Sequence, residues 1–268
     1  IILDGTGTSS KDGLLLEGAY PNTSGDLALR HVTFNAFANG INHHSTSGSW
    51  QFAQILLDQC IFQGNTSSGI KANSLNASWT LVSTNFAVPA GAWAFDLAGG
   101  GIMDIHGAEF AGSGATSGVM KITGAHVQYN FWGTQDENFG TFIQNDASDL
   151  SGITNIYGSL VQAKIVINQS CVINSVGSNY LSKAFVINSP AAPQITSRGD
   201  YVRGYDVADG VTVVSPPRLA ADTTKQDTIL VEENGATSSF KFRKPTSFLS
   251  PEILAADTTN PILAAGAY

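Results

Sequence analysis

A phenylalanine returns at nearly constant intervals through the first half of the chain. It occupies positions 34, 62, 86 and 110, at spacings of 28, 24 and 24 residues, and each time it closes a short apolar run. Segments that begin with glycine and then alternate apolar and polar residues fall between these landmarks. Units of this size are too small to bury an apolar face alone and must stack on copies of themselves. The period therefore predicts a repeat architecture.

The residue pattern within each unit favours strands over helices. Short runs alternate apolar and polar residues and are bounded by Gly, Asn, Ser and Thr, which is typical of strands and turns. At about 3.3 Å per strand residue, one unit supplies three short strands with turns, or one rung of a parallel β-helix. The alignment also places Trp79 and Cys60 in the interior, and predicts core side chains at Leu29, Val32, Phe34, Leu57, Phe62, Leu81, Phe86, Ile105, Ala108 and Phe110.

The chain resembles right-handed parallel β-helix proteins of the pectate-lyase-like superfamily, which includes polysaccharide lyases, glycoside hydrolases and phage tailspikes. The resemblance rests on the rung pattern, the opening Ile1-Ile-Leu-Asp-Gly-Thr-Gly-Thr and the Asp12-Gly-Leu that leads into the first full rung. It covers residues 1–200 and implies an all-β, right-handed, single-stranded parallel β-helix. Many unrelated functions share this scaffold, so the resemblance implies the fold and not one activity.

Residues 201–268 form a separate C-terminal β-rich segment in this interpretation. Seven of the nine prolines lie at or after position 190, and the phrase Leu-Ala-Ala-Asp-Thr-Thr begins at both Leu219 and Leu254. Residues 228–231 and 239–242 flank Asn234-Gly235, a pair that favours a hairpin turn. An open solenoid end needs a cap, so we expect this segment to cap the coil or to mediate oligomerisation.

Charge and hydropathy exclude two classes of partner. The net charge is −8 and the pI is near 4.9, whereas nucleic-acid binding requires clustered Lys and Arg. The sequence contains no apolar run of the roughly 18 residues needed to cross a bilayer, so we expect no membrane insertion.

Two separated cysteines, Cys60 and Cys171, are interpreted as core thiols. We expect no cofactor and no bound metal.

Four carboxylates are the catalytic candidates. Polysaccharide hydrolysis uses two carboxyl groups about 5 to 10 Å apart, one protonated and one ionised. Asp104 and Glu109 belong to one rung, and Asp136 and Glu137 belong to the following one, where adjacent positions point to opposite faces of a strand. The alternative is that all four are solvated turn residues. Lyase relatives carry a dense acidic cluster with nearby Arg and Lys, and the scattered arginines of this chain depart from that pattern.

A second set of residues predicts sugar binding. Tyr129 and Trp132 could provide aromatic platforms, and Gln135 and His106 could supply polar contacts. We therefore expect an extracellular, cell-surface or virion-surface module that binds polysaccharide or other surface partners. Two alternatives stay open: a glycan-degrading enzyme, either hydrolase or lyase, and a purely structural stalk or filament subunit. We expect a homo-oligomer, either a trimer or an open stack.

Overall fold

The structure is a computed structural model that describes residues 1–7, 10–18, 25–45, 52–73, 78–181, 185–188, 191, 193–198, 200–202, 205–207, 228–234 and 237–243. Within these ranges every regular element is a β-strand. No helix in the described part is long and apolar enough to cross a membrane. The two copies of Leu-Ala-Ala-Asp-Thr-Thr lie outside the described residues, so the cap or oligomerisation role of residues 201–268 stays a prediction.

The strands follow one another closely along the chain. In order they are β1 (Ile2–Asp4), β2 (Asp12–Gly18), β3 (Gly25–Arg30), β4 (Thr33–Asn35), β5 (Asn39–Ser45), β6 (Phe52–Asp58), β7 (Ile61–Gln63), β8 (Ser68–Ala72), β9 (Ser78–Val82), β10 (Asn85–Val88), β11 (Trp93–Leu97), β12 (Ile102–His106), β13 (Glu109–Ile122), β14 (Gln128–Trp132), β15 (Gln135–Asn145), β16 (Asp149–Tyr157), β17 (Leu160–Val161), β18 (Lys164–Ile167), β19 (Cys171–Val176), β20 (Asn179–Tyr180), β21 (Phe185–Ile187), β22 (Gln194–Arg198), β23 (Tyr201–Val202), β24 (Tyr205–Val207), β25 (Thr228–Asn234) and β26 (Thr237–Arg243).

These strands build a parallel β-solenoid with three faces. The first face contains β1, β4, β7, β10, β17, β20 and β23, and the second contains β2, β5, β8, β11, β18, β21 and β24. The long strands β13 and β15 run through both of these faces and join them into one 16-stranded sheet. The third face is an eight-stranded sheet of β3, β6, β9, β12, β14, β16, β19 and β22. The chain visits the faces in the same order on each turn, which confirms the predicted parallel β-helix architecture.

The recurrent phenylalanines form a continuous stack inside the first face, called here the phenylalanine column. Phe34, Phe62, Phe86 and Phe110 are paired in register, with ring centroids 4.8, 4.8 and 5.4 Å apart. Each ring is 1% exposed or less, so each side chain contributes roughly 2–3 kcal/mol by burial. The other predicted core residues are buried as well, except Leu29, which is partly buried against the core.

The phenylalanine column ends at a buried carboxylate. Asp136 pairs with Phe110 in the next turn and is fully buried. The backbone N–H groups of Gln162 and Ala163 donate to its two oxygens at 2.8 and 3.0 Å. Burial raises the pKa of Asp136 to about 6, although these backbone hydrogen bonds act in the opposite direction. The recurrent phenylalanine is replaced here by a carboxylate, and the column then continues with the buried Val161 and Tyr180.

A column of left-handed residues turns the chain from the third face to the first. It contains His31, Gln59 and Ser83 in the early turns, with φ between 47° and 54°, and then Gly107, Gly133, Gly158 and Gly177, with φ between 55° and 65°. Glycine adopts this conformation without the steric cost that a Cβ brings. At another corner, Gly99, Gly100 and Gly101 all have positive φ, so this bend also uses glycine.

Three smaller predictions are also confirmed. Trp79 is fully buried, and Cys60 and Cys171 are buried free thiols. Strands β25 and β26 pair antiparallel, with Asn234 opposite Thr237, as the hairpin prediction requires. Parallel pairing continues through β23 and β24, so the last described solenoid strands lie beyond residue 200.

Candidate carbohydrate-binding surface

Aromatic rings from three successive turns line the outer surface of the third face near one edge. Strand pairing places Arg30, Asp58, Val82, His106, Trp132, Tyr157, Val176 and Arg198 at the same register position. This position ends each strand just before the left-handed corner residue. His106, Trp132 and Tyr157 are called here the aromatic column.

Trp132 and His106 are the exposed members of the aromatic column, and Tyr157 is half-buried. The indole of Trp132 stacks on Tyr157 with centroids 4.0 Å apart and planes 19° apart, so that face is covered. His106 is nearly parallel to it, at 4°, but 5.9 Å away. Such a separation between parallel rings requires either a gap or a lateral offset, and both leave part of the indole face accessible. Trp132 is accordingly 39% exposed.

A chain of side-chain amides runs beside the aromatic column, two residues earlier in each strand. Asn130 donates to Asp104 at 2.6 Å, Asn155 donates to Asn130 at 2.7 Å, and Asn174 donates to Asn155 at 3.2 Å. These four residues are called here the amide ladder. Gln128 adds a further hydrogen bond to Asn130 at 3.0 Å. Asn130 and Asn155 are each only 3% exposed, so the ladder orders the strands beside Trp132, and only its end members, Asp104 and Asn174, are partly accessible.

The predicted residues Glu109 and Gln135 lie just around the corner from the aromatic column. Glu109 begins β13 and Gln135 begins β15, and the two are paired across adjacent turns with both side chains exposed. The left-handed Gly107 and one buried residue separate Glu109 from His106. The left-handed Gly133 and one buried residue likewise separate Gln135 from Trp132. The structure thus brings four predicted residues to one edge of the solenoid: His106, Glu109, Trp132 and Gln135.

Asp136 and Glu137 point to opposite faces of β15, as predicted from their adjacency. Asp136 lies in the core, so its carboxylate cannot reach a ligand on the outer surface. Glu137 is partly exposed on the first face, one turn and two residues away from Glu109. Their Cα atoms lie roughly 8 Å apart, from one strand spacing of about 4.8 Å and two residues of about 3.3 Å each.

Tyr129 does not lie on this surface. It is fully buried, its hydroxyl donates to the Gly100 carbonyl at 3.2 Å, and burial raises the pKa of the phenol. Its register partners are Met103 and Thr154, both in the interior. The alignment assigned Trp79 to the core, and Met103 and then Tyr129 occupy the same position in the next two turns. The sequence therefore indicates an interior position for the Tyr129 ring.

Tyr157 and the asparagines of the amide ladder were missed by the sequence reasoning. Tyr157 follows Trp132 by 25 residues and Asn155 follows Asn130 by the same interval, which is the spacing of one turn. This recurrence was available in the sequence. The phenylalanine landmarks stop at Phe110 and therefore do not reveal this recurrence.

A buried polar cluster lies inside the solenoid near this surface. His126 Nε2 is 3.2 Å from the Thr154 hydroxyl, and His126 Nδ1 is 3.4 Å from Asp149. The order hydroxyl, imidazole, carboxylate matches that of nucleophilic enzymes, but all three residues are 5% exposed or less. Burial lowers the pKa of His126, against the effect of Asp149. Burial alone raises the pKa of Asp149, but hydrogen bonds from His126, Ser151 and Gly152 hold it at about 2. The cluster is therefore closed off from any ligand on the outer surface.

Within the part of the chain that the structure describes, no group of three or more His, Cys, Asp or Glu residues could hold a metal ion. No protein-family model, curated protein or solved structure matches this chain. The fold assignment therefore rests on the strand pairing, and the surface just described has to be interpreted from its own chemistry.

Proposed function

We propose that this protein is a binding module whose ligand, an extended and uncharged polysaccharide, lies along the third face. The observation that carries the proposal is the exposed indole of Trp132, held by Tyr157 beside the amide ladder. Aromatic rings offer an apolar body for the C–H groups of a sugar, and a few convergent polar groups fix its orientation.

The repeat of the surface suits a polymer. His106, Trp132 and Tyr157 occupy three successive turns, spaced by about 4.8 Å along the solenoid. Because these rings stack on one another, a linear glycan aligned with this axis would run along their outward edges, with consecutive sugars beside consecutive rings. The sequence resemblance to the pectate-lyase-like superfamily supports the same class of ligand, and we propose that such a module acts outside the cell, at a cell surface or on a virion.

Local charge favours an uncharged glycan. Asp104 and Glu109 supply carboxylates near the aromatic column, and Arg30, three turns before His106 at the same register position, forms an ion pair with Asp58 at 3.6 Å. The net charge of the chain is −8. A polyanionic sugar would meet like charges along this surface, which costs free energy.

The test is affinity electrophoresis through gels that contain neutral glucans, mannans or galactans. We expect at least one of them to retard the protein, and the Trp132→Ala variant to migrate as if the polysaccharide were absent. Ile61→Ala is the matched control, because Ile61 is 40% exposed but lies on the first face. Absence of retardation for the unmodified protein, or retardation that persists in Trp132→Ala, would refute the proposal.

Hydrolysis of the bound glycan is a second candidate, supported by the shared outward face of Glu109 and Glu137. Their Cα separation of roughly 8 Å is compatible with the carboxyl distances of glycosidases. On this hypothesis the protein releases new reducing ends from whichever polysaccharide retards it, and Glu137→Gln abolishes the release without changing the retardation. A protein that binds and releases nothing is a binding module only.

A further inference from the structure

Asn65 combines a sequence motif for covalent modification with a position inside the solenoid. The motif Asn-x-Ser/Thr, with any residue except proline at x, is the acceptor for N-linked glycans. It begins at Asn22, Asn65, Asn76 and Asn168 in this chain. Asn22 and Asn76 lie outside the described residues, whereas Asn65 and Asn168 lie within them. Two of the four motifs can therefore be compared with the folded solenoid.

Asn65 is an interior residue at the corner between the first and second faces. It lies between β7 and β8 and is 3% exposed. Its Nδ2 donates to the Phe34 carbonyl at 3.3 Å, and the Phe37 backbone N–H donates to its Oδ1 at 3.1 Å. Both partners belong to the preceding turn, so this one amide fastens two successive corners together.

The backbone of the Asn65 motif is also held against the preceding turn. The N–H groups of the two residues that follow Asn65 each donate to a carbonyl of that turn at 2.8 Å. A glycan is bulky and hydrated, and it belongs at a protein surface. A buried Asn65 leaves it no space. Turning the side chain outward would instead deprive the Phe34 carbonyl and the Phe37 N–H of their partner in the interior.

Asn168 carries the same motif in a more open setting. It is partly exposed just after β18, where its Nδ2 donates to Asp146 at 2.7 Å and its Oδ1 accepts from Asn188 at 2.7 Å. An amide nitrogen has two hydrogens, so one remains for Asp146 when a sugar replaces the other. The two asparagines thus differ in burial and offer a matched comparison.

We propose that a glycan on Asn65 prevents folding, and that this protein therefore matures by a route without N-linked glycosylation. Oligosaccharide is transferred to chains that have not yet folded, so burial in the folded state does not protect Asn65. A module that acts outside the cell would then be exported or released from a compartment that lacks this modification. The inference concerns maturation and is independent of the ligand on the third face.

The test compares three variants of the whole chain, secreted by a eukaryotic host that attaches N-linked glycans. Each motif is removed by replacing its serine with alanine, which leaves the asparagine in place. The motif-free variant carries all four substitutions: Ser24→Ala, Ser67→Ala, Ser78→Ala and Ser170→Ala. The Asn65 variant keeps Ser67 and the Asn168 variant keeps Ser170, so each of these two retains one motif.

We expect the motif-free variant and the Asn168 variant to be secreted several-fold better than the Asn65 variant, because a chain that cannot fold is retained and degraded. Mass spectrometry should find a glycan on Asn168 in secreted protein, and a glycan on Asn65 only in the retained fraction. In a bacterial host that attaches no glycans, all three variants should fold alike, which controls for the serine substitutions.

Equal secretion of the Asn65 variant and the motif-free variant would overturn the proposal, as would secreted, protease-resistant protein with a glycan on Asn65. A retained fraction in which Asn65 is unmodified would also refute it. Retention of the Asn168 variant would show that any glycan on the solenoid blocks export, and burial of Asn65 would then not be the cause.

Discussion

The turns that carry the phenylalanine column and the turns that follow it share three faces but fill their interiors differently. The early turns stack Phe34 to Phe110, and the first three of them bend through non-glycine residues. The later turns bury Asp136, Asp149 and His126, and bend through glycine. Both regions keep an apolar core, but among the described residues the first, called here the dry half, buries no carboxylate, whereas the second, called here the polar half, buries two. The difference indicates that pairing between turns, and not one type of core, defines this fold.

The largest expected change in stability follows from removing an aromatic ring from the dry half. Phe86 contacts Phe62, Phe95 and Phe110, so Phe86→Ala should lower the free energy of unfolding by about 3–5 kcal/mol. Val161→Ala, at the same column beyond Asp136, should cost about 2 kcal/mol. Denaturant unfolding measures both. Losses in proportion to the apolar area that each truncation removes would show that the two interiors are energetically alike, which contradicts the comparison.

The second prediction concerns pH and the polar half. The pKa of Asp136 is about 6 when folded and 3.8 when unfolded, so the native state binds more protons between these values. The contribution of Asp136 to stability is therefore greatest below pH 3.8 and declines by about 3 kcal/mol as the pH rises through 6. The side chain of Asp136→Asn cannot ionise, so the stability of this variant should not show this decline with rising pH.

The measurement is the difference in unfolding free energy between the unmodified protein and Asp136→Asn at pH 4 and at pH 7.5. Glu109→Gln serves as the control, because Glu109 is exposed on the same sheet. A difference that does not change with pH would mean that Asp136 is ionised at no net cost in the folded chain.

The smallest expected change in stability concerns the left-handed residues at the corner between the third face and the first. Gly158 has φ +55° and open space where a Cβ would lie, so Gly158→Ala isolates the backbone cost of the left-handed conformation, about 1 kcal/mol. Gln59 has φ 51° and is exposed, so Gln59→Gly should stabilise the early half by a similar or smaller amount. Thermal unfolding of both variants should shift in opposite directions. A shift in the same direction would refute this account of the corners.

The sequence predicted the dry half well because its signal is local and repeated. Interior positions such as Leu57 and Phe86 follow directly from alignment on one residue type. The polar half has no such landmark. Asp136 occupies a phenylalanine position, and a carboxylate is buried there only because Gln162 and Ala163, 26 and 27 residues later, donate to it.

The candidate surface was predicted only in part, for a related reason. Trp132 was assigned correctly to the outside, whereas the inward direction of Tyr129 depends on the exact register between β12 and β14. The intervals within the amide ladder are 26, 25 and 19 residues, so the contacts depend on how much chain each turn spends in its corners. Short-range pattern does not determine those lengths.

The amide ladder also has an electrical direction. Each asparagine donates toward the preceding turn, and the series begins at Asp104, which can accept but not donate when ionised. Two shorter series behave alike: Gln63 and Asn35 lead to Asp4, and Asn188 and Asn168 lead to Asp146. Aligned amides sum to a dipole whose positive end meets the carboxylate, as an acidic residue meets the first turn of an α-helix. Each of these three aspartates thus acts as an end group for a stack of side chains.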